Sequence, residues 1–255
     1  MIRGAIGHLD VAQIVLYAFF AFFIGLVWYL RREDRREGYP LFSEADNRIK
    51  QRGFLLLPSP KTFRLNSGAV LYRPDYAPDA RPVNAAKLEP WPGAPLQPTG
   101  DPMLAGVGPG SYSQRPEQPY TSLHGEDLMF PLRNSGVFAI PPGHGNPIGL
   151  TVVGSDKVPV GVISDVWADR SESIVRYYEI ELAGAGRRVL LPVYFGRIDF
   201  KRRRVLVNSL IAEQFANVPG LANPDRITMQ EEDRVAAYYG GGTLYSTPKR
   251  SEPLL

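Results

Sequence analysis

The chain has 255 residues, 29 Lys and Arg against 26 Asp and Glu for a net charge of +3, and no cysteine. The missing thiols exclude disulfides, thiolate zinc centres, cysteine-ligated iron–sulfur clusters and thiol catalysis, and they fit a reducing compartment. A charge this close to balance excludes a nucleic-acid-binding arm.

The first predicted element is Val11–Leu30, twenty residues without a charge, of which only Gln13 is strongly polar. At about 1.5 Å rise per residue such a helix covers about 30 Å, the thickness of a bilayer's hydrocarbon core. One charge at mid-span would cost roughly 2.5–3.5 kcal/mol on insertion scales, so its absence over this length points to a membrane span. Arg31, Arg32, Arg35 and Arg36 follow the span at once, whereas only Arg3 precedes it. Counted by Lys and Arg alone, this asymmetry puts the N-terminus outside and residues 31–255 in the cytoplasm. Trp28 and Tyr29 fall at the cytoplasmic interface, where amphipathic rings are favoured. A cleaved signal would have a shorter apolar block and a small-residue cleavage site before a polar start. Neither is present, so the anchor is expected to be retained. Ala18, Ala21 and Gly25 share one helical face and form a candidate surface for docking other helices. The three histidines, His8, His124 and His144, all lie outside the span, which therefore offers no imidazole to a buried haem or chlorophyll.

From 38 to 147 the chain is expected to be irregular. Pro74, Pro78, Pro82, Pro90, Pro92, Pro95, Pro98, Pro102, Pro109, Pro116 and Pro119 exclude long helices and central strands. Apolar residues such as Leu88, Trp91, Leu96, Met103, Leu104 and Val107 make it an extended segment pinned to a surface rather than a solvated linker. A hairpin is predicted from Phe63–Leu65 and Ala69–Tyr72 around Asn66-Ser67-Gly68.

Beyond Gly149 closely spaced strands are predicted at Leu150–Val153, Val160–Trp167, Ile174–Leu182, Arg188–Pro192, Gly196–Asp199 and Val205–Asn208. Tyr178, Ile180 and Leu182 alternate with Glu179 and Glu181 at the two-residue period of a half-buried strand. Gly184-Ala185-Gly186 and Lys201-Arg202-Arg203 are read as tight connections. Six short strands in this space predict a small closed or nearly closed barrel. A short helix at Leu210–Phe215 follows. Thr228-Met229-Gln230-Glu231 matches a capping box that opens a helix running to about Tyr239, with Gly240 expected to end it.

The whole is thus one transmembrane helix plus a mainly-β cytoplasmic domain. The organisation expected is an outer N-terminus at 1–10, the helix at 11–30, a membrane-surface segment at 31–105, a barrel domain at 106–215, and a C-terminal helix and tail at 216–255.

No nucleophile elbow, Walker loop, zinc-protease motif or paired dinucleotide fingerprint is present. Gly106-x-Gly108-x-Gly110 contains Pro109 and reads as a loop. Phe200-Lys201-Arg202-Arg203-Arg204 reads as a solvated hairpin turn, with contact to anionic lipid or an acidic partner as its second role and RNA a distant third. The constellation with chemistry in it is acidic: His124, Glu126 and Asp127 in one loop, and Asp169 with Glu172 between two strands. Such groups can accept and pass protons, although polar loop residues are the simpler reading of the same pattern.

Several tracts together carry a resemblance. They are Arg31-Arg32-Glu33-Asp34-Arg35-Arg36-Glu37-Gly38-Tyr39-Pro40-Leu41, Pro60-Lys61-Thr62-Phe63, Pro98-Thr99-Gly100-Asp101-Pro102 and Gly106-Val107-Gly108-Pro109. To these are added Asn146-Pro147-Ile148-Gly149-Leu150, Glu231-Glu232-Asp233 and Tyr238-Tyr239-Gly240-Gly241-Gly242-Thr243-Leu244-Tyr245. Their order resembles the H subunit of the purple-bacterial photosynthetic reaction centre, with its PRC barrel. The resemblance implies a non-catalytic subunit of the bacterial inner (chromatophore) membrane that caps the cytoplasmic face of the L and M subunits. Those partners would hold the bacteriochlorophylls, bacteriopheophytins, quinones and non-haem iron; this chain would hold no cofactor. A cytochrome subunit, an antenna ring and membrane lipids are further implied neighbours; nucleic acid is not.

The secondary quinone of such a complex takes two electrons and two protons, so its cover must exclude water yet conduct protons. By motif position His124 matches a histidine where protons are taken up, and Asp169, Glu172 and Arg176 match an acid-rich path. Family members can carry a second histidine where this chain has Glu126, and a carboxylate there can still relay protons. The competing readings are a membrane-anchored PRC-barrel adaptor for a non-photosynthetic protein partner, and a membrane-tethered hydrolase. Against the adaptor stand the matching tracts outside the barrel; against the hydrolase, the lack of any nucleophile–base motif.

Overall fold

A computed structural model describes residues 10–43, 48–50, 57–66, 68–75, 82–184 and 186–250. Arg3, His8, Ser67, Pro78 and Ala185, named above, lie outside them. The chain divides into two units, Met1–Pro82 and Val83–Leu255.

In the first unit, helix α1 spans Val11–Glu33. The Asp10 carboxylate caps it, accepting from the Ala12 backbone N–H at 3.3 Å. Among the described residues α1 contains the one stretch long and apolar enough to cross a membrane. None of its side chains is buried within the chain, and Phe19, Phe20, Phe22, Phe23 and Ile24 stand outward, as a lipid- or partner-facing helix requires. A 3-10 turn at Asp34–Arg36 follows. Strands β1 (Leu41–Phe42) and β2 (Ile49–Lys50) pair antiparallel, as do β3 (Lys61–Arg64) and β4 (Val70–Arg73). The β3–β4 hairpin is the one expected, shifted slightly along the chain. The Arg36 guanidinium fastens it to the end of α1. That side chain donates to both Glu33 carboxylate oxygens at 2.8 Å, to the Ser59 carbonyl at 2.7 Å and to the Arg73 carbonyl at 3.0 Å. Lys61 Nζ closes on Glu33 at 2.7 Å.

In the second unit the proline-rich stretch forms one small hairpin, β5 (Ala85–Lys87) with β6 (Leu96–Pro98), and one further strand, β7 (Met129–Pro131). Neither element was expected from the sequence. The sheet is completed by β8 (Thr151–Val153), β9 (Pro159–Asp169), β10 (Ile174–Leu182), β11 (Arg188–Pro192), β12 (Gly196–Asp199) and β13 (Arg204–Val207). Its order is β11-β10-β9-β8-β13-β12, with β7 added on β9; β13 and β8 run parallel and the other pairs antiparallel. The end strands β11 and β12 do not bond to each other, so the sheet is a curled half-barrel, the open form of the barrel expected. Val152, Ile163, Val166, Trp167, Ile180, Leu191, Val205 and Val207, from β8, β9, β10, β11 and β13, are buried in its core. The short helix near 210 is a 3-10 segment at Ala212–Asn217. The basic run forms the β12–β13 turn as read, with Arg202 and Arg204 at 3.8 and 3.5 Å from Asp199.

The two-residue alternation over residues 178–182 holds except at Glu179, which is 3% exposed. A register shift lies between Glu179 and Ile180, and the carboxylate is met by Arg133 at 2.7 Å, Trp167 Nε1 at 3.0 Å and Ser164 Oγ at 3.1 Å. Buried charge is tolerated only with such partners.

Helix α2 covers Met229–Tyr245, so Gly240 does not terminate it. The capping box is present: Thr228 Oγ1 accepts from the Glu231 N–H at 3.2 Å and Glu231 returns the bond at 2.8 Å. The glycines serve packing instead. A Cβ on Gly240 would stand 2.8 Å from the Pro109 carbonyl oxygen, one on Gly241 3.3 Å from Gly110 Cα, and one on Gly242 2.6 Å from Leu210 Cδ2. The helix thus lies backbone-to-backbone on the 3-10 turn at Gly108–Gly110 and on the Ser209–Leu210 strand exit. Three glycines each cost about 1 kcal/mol of helix propensity, which the close packing offsets.

Candidate functional site

Asp169 is the last residue of β9 and is buried, at 8% exposure. Its Oδ1 accepts from the Ser171 N–H at 2.8 Å, the Ser171 hydroxyl at 2.6 Å and the Glu172 N–H at 3.3 Å, the local turn bonding natural to aspartate. Ser173 sits at φ 56 and turns the chain into β10. Four residues after Glu172, Arg176 donates to it at 2.8 Å and lies 3.5 Å from Asp169 Oδ2. Burial alone would raise the Asp169 pKa; the Ser171 and Glu172 hydrogen bonds, aided by Arg176, outweigh it and hold the carboxyl below the usual aspartate range.

The loop with the other candidates is a tight hairpin before β7. Thr121 bridges Asp127, the Ser122 N–H donates to the Glu126 carbonyl at 2.7 Å, and Ser122 Oγ accepts from the His124 and Glu126 backbones at 3.2 and 3.3 Å. The His124 side chain stands exposed at the tip. Asp127 is clamped by Arg226 at 2.6 and 2.9 Å.

These two groups, read from separate stretches of sequence, are neighbours. Met129 pairs with Asp169 in the β7–β9 register, and the Arg170 N–H donates to the Leu128 carbonyl at 2.8 Å. The Arg170 guanidinium reaches Glu126 at 3.6 Å and stacks over Phe130 at 4.8 Å. His124, Glu126 and Asp127 therefore edge the same corner of the sheet as Asp169, Glu172 and Arg176. Of the small-residue face on α1, Gly25 has open space about it.

Beside Asp169 and Arg176 opens a cleft of about 460 Å³ whose far wall is the first turn of α2. Tyr177 and Tyr194 line it from the sheet side, and Glu232, Asp233 and Arg115 complete it. Tyr177 donates its hydroxyl to Glu232 at 3.1 Å, and Arg115 donates to Asp233 at 3.0 Å. Burial pushes the Glu232 carboxyl up, against the Tyr177 bond and Arg176; burial and Glu232 both raise the Tyr177 phenol. Glu232 and Asp233 were not singled out for chemistry by the sequence reading. The capping box fixed where α2 begins, but not which strand its first turn would face.

Among the described residues no group of three His, Asp or Glu side chains is arranged to hold a metal ion.

The curled, mainly antiparallel sheet lies in the part of the chain that matches a known domain: residues 144–214 match the PRC-barrel domain. Residues 4–134, more than half of the chain, match the model of the photosynthetic reaction centre H-chain N-terminal region. The chain belongs to the family of photosynthetic reaction-centre H subunits. Membership implies association with the L and M subunits and, with α1, anchoring in a membrane.

Proposed function

We propose that this chain caps the cytoplasmic face of the L and M subunits, stabilises their quinone sites and conducts protons toward the secondary quinone. The pigments, quinones and iron belong to the partner subunits. In this reading the quinone is the terminal acceptor of electrons and protons, and the work of this chain is exclusion of water and movement of protons.

The observation that carries the reading is the ionisable edge where Asp169, Glu172 and Arg176 meet the chain before β7, with Glu126 tied to Arg170 and His124 at the exposed tip of the adjoining hairpin. His124 stands exposed at the hairpin tip, where its imidazole meets water. Glu172 is exposed and paired with Arg176 at 2.8 Å, on the rim beside Asp169. Asp169, held anionic by its hydrogen bonds, supplies negative potential that draws protons to the edge. In the first unit the clamp of Arg36 on Glu33 and on the β3–β4 hairpin fixes the chain at the helix end. The arginine asymmetry around α1 supports a cytoplasmic position for everything after it. Ala18, Ala21 and Gly25 are the face by which α1 docks to partner helices.

The test is removal and return of this subunit in a purified complex. Primary charge separation is expected to persist without it, while reduction of the secondary quinone slows and recovers on re-addition. Unchanged quinone reduction without the subunit would refute the role.

A further inference from the structure

We propose that Glu232, held by the Tyr177 hydroxyl on the α2 wall of the cleft, is an inner proton acceptor fed by the Asp169–Glu172 edge. The inference rests on the proton-conducting reading above and extends it from the rim into the cleft.

Three geometric facts carry it. The cleft is open enough for water and is shared by Asp169, Arg176 and Glu232, so a proton can cross it along solvent. Among the described residues Glu232 takes one hydrogen bond, from a neutral phenol, at 3.1 Å. The two cations in the cleft are committed elsewhere: Arg176 to Glu172 at 2.8 Å and Arg115 to Asp233 at 3.0 Å. A half-buried carboxylate without its own counter-ion binds a proton more readily than the anionic rim, and the upward shift agrees with this.

Among the described residues, every ionisable group lining the cleft around Glu232 can be placed. Asp169 lies at the end of β9, Arg176 and Tyr177 on β10, and Tyr194 just after β11. Arg115 and Tyr120 lie on the chain before β7, and Asp233 on α2 itself. Asp169 and Asp233 favour protonation of Glu232, and Arg176 opposes it. In the step itself a Glu232 oxygen forms an O–H bond with a proton released by a protonated water in the cleft, whose own O–H bond breaks to leave neutral water. That bond breaks again when the next acceptor takes the proton, so the carboxylate is regenerated and no electron moves. Tyr177 is a positioning residue: its hydroxyl stays protonated and aims the carboxyl.

The experiment compares the complete complex carrying Glu232→Gln with one carrying Asp169→Asn/Glu172→Gln. Infrared difference spectra on quinone reduction are expected to contain a protonated-carboxyl carbonyl band that Glu232→Gln removes. Proton uptake should slow ~10-fold or more in that variant, a modest share of what a positioned acid–base group supplies. A small weak acid such as formate should restore the rate, which a merely structural defect would not allow. Normal uptake and an unchanged carboxyl band in Glu232→Gln, with slow uptake in the double variant, would overturn the role of Glu232 and leave the edge intact. Normal uptake in both would overturn the edge as well.

Discussion

Arg133 donates to Glu179 across 2.7 Å, and the carboxylate it meets is only 3% exposed. The same guanidinium lies 3.1 Å from Asp165, itself 5% exposed, and 2.8 Å from Asp225. Its backbone N–H also donates to Asp165, at 3.1 Å. One arginine, carried on the 3-10 turn after β7, thus answers two buried charges on the sheet and one on the loop before α2.

Arg133→Ala is therefore expected to destabilise the second unit by about 3 kcal/mol, because it strands buried carboxylates rather than removing one surface pair. Arg188 at 3.4 Å, Trp167 Nε1 and Ser164 still serve Glu179, which keeps the loss from being larger. Denaturant unfolding followed by tryptophan fluorescence reads this directly. A change below about 0.5 kcal/mol, the scale of an exposed ion pair, would show that the network does not hold the fold.

Gly242→Ala raises helix propensity and yet is expected to destabilise. Its Cβ would meet the Ser209 carbonyl and come within 2.6 Å of Leu210 Cδ2, so backbone must shift. A loss of about 2 kcal/mol is expected from such overpacking. Thermal unfolding of Gly242→Ala beside Gly241→Ala, whose Cβ meets its nearest neighbour at 3.3 Å, should rank the first as the more damaged. Stabilisation of Gly242→Ala would mean the three glycines are not a packing face.

Acid should weaken the second unit in a defined window. Asp169 and Asp225 have folded-state pKa values below their ordinary 3.8, Asp169 because its hydrogen bonds outweigh burial and Asp225 because Arg133 bonds it. A depressed carboxyl contributes stability that is complete above its unfolded value and lost as pH falls through the folded one. Stability should thus decline below about pH 4, and Asp169→Asn should flatten that decline. An identical acid limb in wild type and variant would remove Asp169 from the linkage.

Sidedness can be read by proteolysis. In sealed vesicles whose cytoplasmic face points inward, everything after α1 should be protected, and it should be cut in vesicles of the opposite sense. Cleavage of the larger part from the outer face would reverse the orientation and separate the domain from the acceptor side.

Strands β8 to β13 were legible because they are rich in β-branched, aromatic and other apolar residues and are separated by turn residues such as Gly184 and the Lys201-Arg202-Arg203 run. The anchor was legible because lipid leaves only one solution for twenty uncharged residues. The end of α2 was misread for a physical reason: a glycine stops a helix only where nothing rewards continuing it. Here the reward is contact with Pro109, Gly110 and Ser209, which no local pattern announces. Glu179 was hidden similarly, since the alternation in β10 marks it as outward while Arg133, 46 residues away, draws it in. Of the ionisable edge, the residue types were visible in two separate stretches; their adjacency came from the β7–β9 pairing, which the prolines around β7 disguised.

The most direct measurement is flash-induced proton uptake by the complete complex carrying Asp169→Asn and Glu172→Gln together. Slower uptake and slower second reduction of the secondary quinone, with primary charge separation untouched, is the expected result. Uptake at the wild-type rate would contradict proton conduction along this edge.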